Sequence, residues 1–196
     1  MNVIKRLHSR VRQNNNTVGG HNAGGDVNVS ENVNFNILPE KKSPLRIMVE
    51  NYCSEIEQSG EKKEFIEELQ DYMKRVPGRD QRSLTDKLLA AQREDLVDNA
   101  LLLKEKFSKK LYKHTFSPSA QKIFVHILSM INSSFHLKIK PLIHEDKPSS
   151  VVDKAIFDEI IREIYCEVGN SELDINMDYI HGMLYYLTGN CYINWK

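Results

Sequence analysis

The sequence predicts a mainly α-helical, bundle-like domain, with a short β-forming segment before it and a short extended strand at its end. From Ser43 onward, apolar residues recur at spacings of three and four, which is the period of one helix face. Between Val27 and Ile37 they alternate with polar residues instead, as in half-buried strands. The closing stretch from Gly182 stays apolar and aromatic and holds the only Trp of the chain, which predicts that it packs into a core.

Length and composition fit one domain of ordinary size with an appendage. The 196 residues contain 27 Lys and Arg and 27 Asp and Glu, so net charge favours neither a nucleic-acid nor a membrane partner. Cys53, Cys166 and Cys191 are odd in number and far apart, which favours a reducing compartment over a disulfide framework. No apolar run reaches the ~18 residues of a membrane span, and residues 1–13 are too polar for a signal peptide. We therefore expect a cytoplasmic protein.

The first 42 residues are expected to form a unit separate from the helical domain at 43–196. Residues 1–12 fit a short basic helix, and an Asn- and Gly-rich, turn-forming stretch follows over 13–26. The strand pattern of Val27 to Ile37 is broken at Glu31-Asn32, which fits a turn. A phosphate-binding loop is excluded because the Gly-rich stretch precedes the strands and lacks a Gly-Lys-Ser/Thr ending.

Three interpretations of this N-terminal unit remain open. It is a flexible linker with a local hairpin, or an oligomerisation element in which strands from several copies pair. Pairing between copies would stabilise strands that are marginal as a single hairpin. The apolar residues that would pair are Val18, Val27, Val29, Val33, Phe35 and Ile37. The third interpretation is a nucleic-acid-binding arm that uses Lys5, Arg6, Arg10 and Arg12.

The first half of the helical domain contains three predicted helical regions. Ser43-Pro44 supplies an N-cap and a first-position Pro for a helix to about residue 58. A second helix is predicted from Glu61 to Val76 and would form a hairpin with the first. From Ser83, two apolar rows flank the charged stretch 92–95, which predicts one long helix or two helices with a bend. We interpret residues 92–95 as solvent-exposed, with a protein interface as the alternative.

The second half begins with another N-cap signature at Ser117-Pro118, followed by a strongly apolar helix to Phe135. Pro141 predicts an extended connection over residues 139–143. Ser150 and Asp153 resemble a capping box that opens the helix we expect to be most buried, which stops at Gly169-Asn170.

The last helix is predicted over residues 177–187, with Gly189 as its left-handed C-cap. Residues 191–195 would then form the short extended strand.

The sequence shows no arrangement typical of catalysis or metal binding. The histidines of the helical domain have no zinc-site spacing; these are His114, His126, His136, His144 and His181. Adjacent acids at 158–159 and 67–68 face different directions on a helix, which disfavours acid/base work. Aromatic residues flank Cys191, which indicates a buried hydrophobe rather than a nucleophile paired with His181. We expect no enzymatic activity, no cofactor and no metal.

The closing stretch carries a family resemblance. From Gly182 to Trp195 the chain reads GMLYYLTGNCYINW, and this resembles the ending of the C-terminal domains of bacterial ABC three-component systems. Further blocks in the family's order are the segment 120–124, Phe135 and the segment 141–143, so the resemblance spans about Ala100 to Trp195. Tyr192 stands where the family has His, which argues against a role that rests on an imidazole there.

The resemblance implies a module of a defence system against phage or foreign DNA, in which the domain links an effector to an ABC or SMC-like ATPase. The leading hypothesis is therefore a non-enzymatic adaptor or regulatory subunit, homo-oligomeric, that binds such an ATPase or effector and no membrane. The alternative hypothesis is a nucleic-acid-binding regulator that works through the basic N-terminal arm.

Overall fold

The computed structural model describes residues 42–56, 65–168 and 172–196. The predicted basic helix, Gly-rich stretch and strand pattern of residues 1–41 lie outside these described residues. So do the six residues of the oligomerisation hypothesis and the four of the nucleic-acid hypothesis.

The described residues form helices and contain no β-strand, so the predicted mainly helical class is confirmed. The helices are α1 Pro44–Ile56, α2 Glu67–Met73, α3 Leu84–Ala90, α4 Val97–Lys113, α5 Pro118–Ser134, α6 Lys140–His144, α7 Ser149–Ile156, α8 Arg162–Val168 and α9 Met177–Gly189. A 3-10 turn, Glu94–Leu96, precedes α4. A π turn at Phe135–Ile139 joins α5 to α6, and another at Phe157–Ile161 joins α7 to α8. None of the described helices is both long and apolar enough to cross a membrane.

Helix α9 lies at the centre of the core. Every residue from Gly182 to Gly189 is buried, and the helix packs closely against α4. The Phe107 ring of α4 makes edge-to-face contacts with Tyr186 of α9 at 5.2 Å and with Phe124 of α5 at 5.9 Å between ring centroids. The expectation that residues 152–168 form the most buried helix is therefore wrong, because Phe157 on that stretch is 42% exposed.

Local signals place several helix starts where the sequence predicts them. Ser117 accepts a hydrogen bond from the Ala120 amide at 3.2 Å, and Pro118 occupies the first turn of α5. Ser43 accepts one from the Arg46 amide at 3.2 Å. Of the two alternatives after Ser83, the structure shows separate helices, since Gln92 adopts a left-handed φ of 58° and ends the α3 segment.

The prediction of an extended connection at Pro141 is wrong. The chain remains helical because the π turn Phe135–Ile139 lies just before it, and the Lys140 amide donates to the Phe135 carbonyl. Pro141 then occupies the first turn of α6, where a missing amide hydrogen and a fixed φ are tolerated. A π turn absorbs the extra residue that would otherwise break the helix.

Two further helix boundaries differ from expectation. The Ser150–Asp153 capping box is absent, because α7 begins at Ser149 with Pro148 as its N-cap, which places Ser150 inside the helix. Asp153 pairs with Arg93, with 2.9 Å between the carboxylate oxygen and the guanidinium nitrogen. Helix α2 ends at Met73 rather than at Val76. The Val76 amide is used elsewhere, since it donates to the Asn190 carbonyl at 3.2 Å.

Candidate functional site

The end of α9 is closed by a left-handed residue, but at Cys191 rather than at Gly189. The Tyr192 amide donates to the Leu187 carbonyl at 2.9 Å and the Cys191 amide to the Thr188 carbonyl at 3.2 Å, which is the Schellman pattern. Cys191 has φ 68°. Gly189 stays inside the helix, where a Cβ would lie 2.7 Å from the Lys104 ammonium nitrogen.

The predicted C-terminal strand, residues 191–195, is also wrong. These residues pair with no strand in the described chain and are held by side chains instead. Trp195 is 4% exposed, and its indole nitrogen donates to the Thr188 hydroxyl at 3.1 Å. Its ring contacts Phe135, with 5.5 Å between centroids. The expected burial of this C-terminal tail, residues 190–195, is confirmed, but aromatic packing rather than a β-ladder achieves it.

The tail also binds the end of α2 through hydrogen bonds and a ring contact. The Asn190 side-chain amide donates to the Tyr72 carbonyl at 2.9 Å, and the Tyr192 hydroxyl donates to the Asp71 carbonyl at 2.7 Å. The Tyr72 and Tyr192 rings lie 5.0 Å apart. Tyr192 is thus used as a long hydrogen-bonding and packing group.

Lys87 is a buried cation at this helix end. It is 2% exposed, and its ammonium donates to the Thr188 carbonyl at 2.7 Å and contacts the Cys191 sulfur at 3.2 Å. No carboxylate lies within ion-pair distance of it among the described residues. The Thr188 carbonyl and the partial negative charge of the α9 C-terminus are what stabilise this ammonium.

A cleft of about 350 Å³ opens over the same helix end. On one side Arg79 donates to the carbonyls of Cys191, at 3.4 Å, and Tyr192, at 3.0 Å. On another, the His136 Nε2 lies 3.1 Å from the Tyr192 carbonyl, which makes this nitrogen the donor. The cleft is lined by Arg79, Asp80, Lys87, His136, Lys140, Cys191, Tyr192, Ile193 and Asn194.

A larger cavity, about 650 Å³, lies beside Arg93 and Trp195. Arg93 is 5% exposed, which overturns the interpretation of residues 92–95 as wholly solvent-exposed. Its guanidinium pairs with Asp95 at 3.1 Å and Asp153 at 2.9 Å, and lies 5.8 Å from the centre of the Trp195 ring. Because two carboxylates neutralise this one cation, Arg93 gives the larger cavity no excess positive charge.

The family model for C-terminal domain 9 of the ABC-three component (ABC-3C) systems matches residues 83–195. This is more than half of the chain and includes α3 to α9 with the Trp195 anchor. The chain belongs to this family. The match confirms the resemblance seen in the sequence and extends it upstream from Ala100 to Ser83, the N-cap of α3. No curated protein and no solved structure matches the chain.

The residues that build this end of the CTD9 domain were missed by sequence reasoning, although a signal existed. Lys87 falls between Leu84 and Leu88 at helical spacing, so it shares their buried face. Arg93 has no comparable signal, because its burial depends on Asp153, sixty residues away. Within the described residues, no group of three or more His, Cys, Asp or Glu side chains is placed to hold a metal ion.

Proposed function

We propose that this protein is a non-enzymatic adaptor or regulatory subunit of an ABC-3C defence system, and that it couples to an ABC or SMC-like ATPase or to an effector in the cytoplasm. The observation that supports this most directly is the family match over residues 83–195.

Co-expression with the ATPase encoded in the same system tests the adaptor. We expect the tagged chain to elute with the ATPase as one species in size-exclusion chromatography, whereas an ABC ATPase from an unrelated transporter should not co-elute. The purified chain alone should hydrolyse neither nucleotides nor nucleic acids. Separate elution at micromolar concentrations would contradict the adaptor role. Hydrolysis by the chain alone that persists through repeated purification would contradict the non-enzymatic role.

We also propose that the N-terminal segment assembles copies of the chain through strand pairing over roughly residues 16–37. The support is compositional. Alternating Val and Asn predict strands, and such strands would have two unpaired edges with a single charged residue, Glu31, between Val27 and Ile37. A second copy would pair the backbone and bury the valines together.

Sedimentation of the full chain and of a chain shortened to begin at Ser43 tests this assembly. We expect only the full chain to be oligomeric. Val29→Lys should reproduce the monomer because it places a charge inside the pairing, while Asn28→Lys, on the opposite face of the same strand, should leave the oligomer intact. Equal masses for the full and shortened chains would instead identify the segment as a linker.

A further inference from the structure

The cleft over the α9 C-terminus holds more positive charge than its surroundings neutralise. Arg79, Lys87 and Lys140 line it with His136, and the carboxylate in its wall is Asp80. Asp80 is already engaged, because Arg82 lies 2.6 Å from its carboxylate and lowers its pKa to about 2. The helix end contributes only about half an elementary negative charge. Three permanent cations therefore remain undercompensated.

The neighbouring Lys104 is also affected by this excess of positive charge. Burial, followed by repulsion from Arg75 and Lys87, lowers the pKa of Lys104, whose ammonium lies against Gly189. An anion placed in the cleft would relieve the part of this repulsion that comes from Lys87.

Lys140 is the cation most available to such an anion. It is half-buried in the cleft wall, and its side chain makes no hydrogen bond or ion pair with the described residues. By contrast, the nearby surface lysine Lys138 is taken up by Glu159 at 2.8 Å and Glu163 at 3.3 Å. Lys87 adds a donor, since an ammonium has three N–H groups and only two acceptors contact it.

We propose that this cleft binds the carboxylate side chains of an acidic segment in the protein partner of this ABC-3C system. The proposal rests on the adaptor function above and names the chemistry of its contact. Carboxylates would accept charge-assisted hydrogen bonds from Lys140 and Lys87. A volume of about 350 Å³ suits one or two side chains, whereas nucleic acid needs an extended series of phosphate contacts.

The N-terminal segment of the same chain is a poor occupant by charge. Residues 1–39 contain two acids, Asp26 and Glu31, against four Lys and Arg residues. The two acids stand five positions apart among Asn, Gly and Val and form no acidic run, so we assign the complementary acidic segment to another protein.

Fluorescence anisotropy with a labelled oligoglutamate peptide tests the cleft in the full chain at low ionic strength. Lys140→Glu should weaken binding at least about tenfold, because it reverses a cleft charge. Lys122→Glu makes the same charge change on the exposed surface of α5 and should leave binding unchanged. Lys140→Met removes the cation without adding a carboxylate and should give an intermediate loss. Circular dichroism checks that each variant is folded.

Any of three results would contradict the proposal that the cleft binds carboxylates. These are no peptide binding by the unaltered chain, equal losses in Lys140→Glu and Lys122→Glu, or tighter binding of a single-stranded oligonucleotide that Lys140→Glu abolishes. The co-expression experiment separates this failure from failure of the adaptor function. If the chain co-elutes with the ATPase but does not bind the peptide, the adaptor function is retained and the cleft proposal is lost. The opposite result would discard the adaptor function and, with it, the assignment of the cleft to that partner, and would retain only a carboxylate-binding cleft.

Discussion

Gly182→Ala should lower the free energy of unfolding by at least ~3 kcal/mol, the upper end of the usual cost of overpacking a core. A Cβ at Gly182 would lie 2.3 Å from the Leu103 carbonyl oxygen and 2.9 Å from the Phe107 Cβ. Both are parts of α4 that cannot move without separating α4 from α9. For a domain of this size the expected fall in Tm is about 10 °C.

Gly189→Ala is the matched control, because it makes the same change in the same helix. Its Cβ would meet the Lys104 ammonium nitrogen at 2.7 Å, which is the far end of a flexible side chain. The gain in helix propensity, about 1 kcal/mol, offsets the shift of that lysine, so we expect little net change. Calorimetry and urea unfolding measure both variants. Equal stability of the two would show that α4 and α9 do not approach as closely as the structure has them.

The contrast between these glycines shows what the sequence could predict. Apolar rows at helical spacing located α3, α4, α5 and α9 and the stretch that contains α7 and α8, because burial of one face is a local pattern. The close approach at Gly182 is invisible in that pattern, since it depends on Leu103, nearly eighty positions earlier in the chain. A Gly before an apolar run looks the same whether it is a cap or a contact point.

The environments of charged residues and of helix-breaking residues were the hardest to predict. Pro141 indicates a helix stop by every local rule, yet a preceding π turn absorbs it. Arg93 lies in a charged stretch but is buried, because Asp95 and Asp153 both reach it. In each case a non-local partner or an irregular turn overrides the local preference, so single-residue signals fail where the site is built.

In the tail, the sequence predicted burial but not conformation. Its burial followed from composition, because a Trp side chain is highly buried on average in folded proteins. Its conformation did not, because apolar residues at 191–195 fit a strand as well as an irregular segment. The choice is made by Thr188, whose hydroxyl accepts from the Trp195 indole and donates to the Leu184 carbonyl at 3.0 Å.

Trp195→Ala should cost roughly 3–5 kcal/mol, as truncation of a large buried aromatic side chain does. The substitution removes the contact with Phe135 and the hydrogen bond to Thr188, and it exposes the Arg93 guanidinium that lies over the ring. Because the Asn190 and Tyr192 contacts hold α2, loosening the tail should also release α2 from the core. Hydrogen exchange should then speed up in α2 as well as in the tail.

Two variants separate packing from the hydrogen bond. Trp195→Phe keeps an aromatic ring against Phe135 but loses the indole donor. Beyond the effect of the smaller ring, we expect it to lower the free energy of unfolding by about 1 kcal/mol, the net contribution of one hydrogen bond. Thr188→Val removes the acceptor, and combined with Trp195→Phe it should cost less than the sum of the two single changes, because both delete one bond. If Trp195→Ala instead shifts Tm by less than ~2 °C, an effect expected only for ~1 kcal/mol or less, the tail is peripheral and α9 is stabilised by α4 and α5 alone.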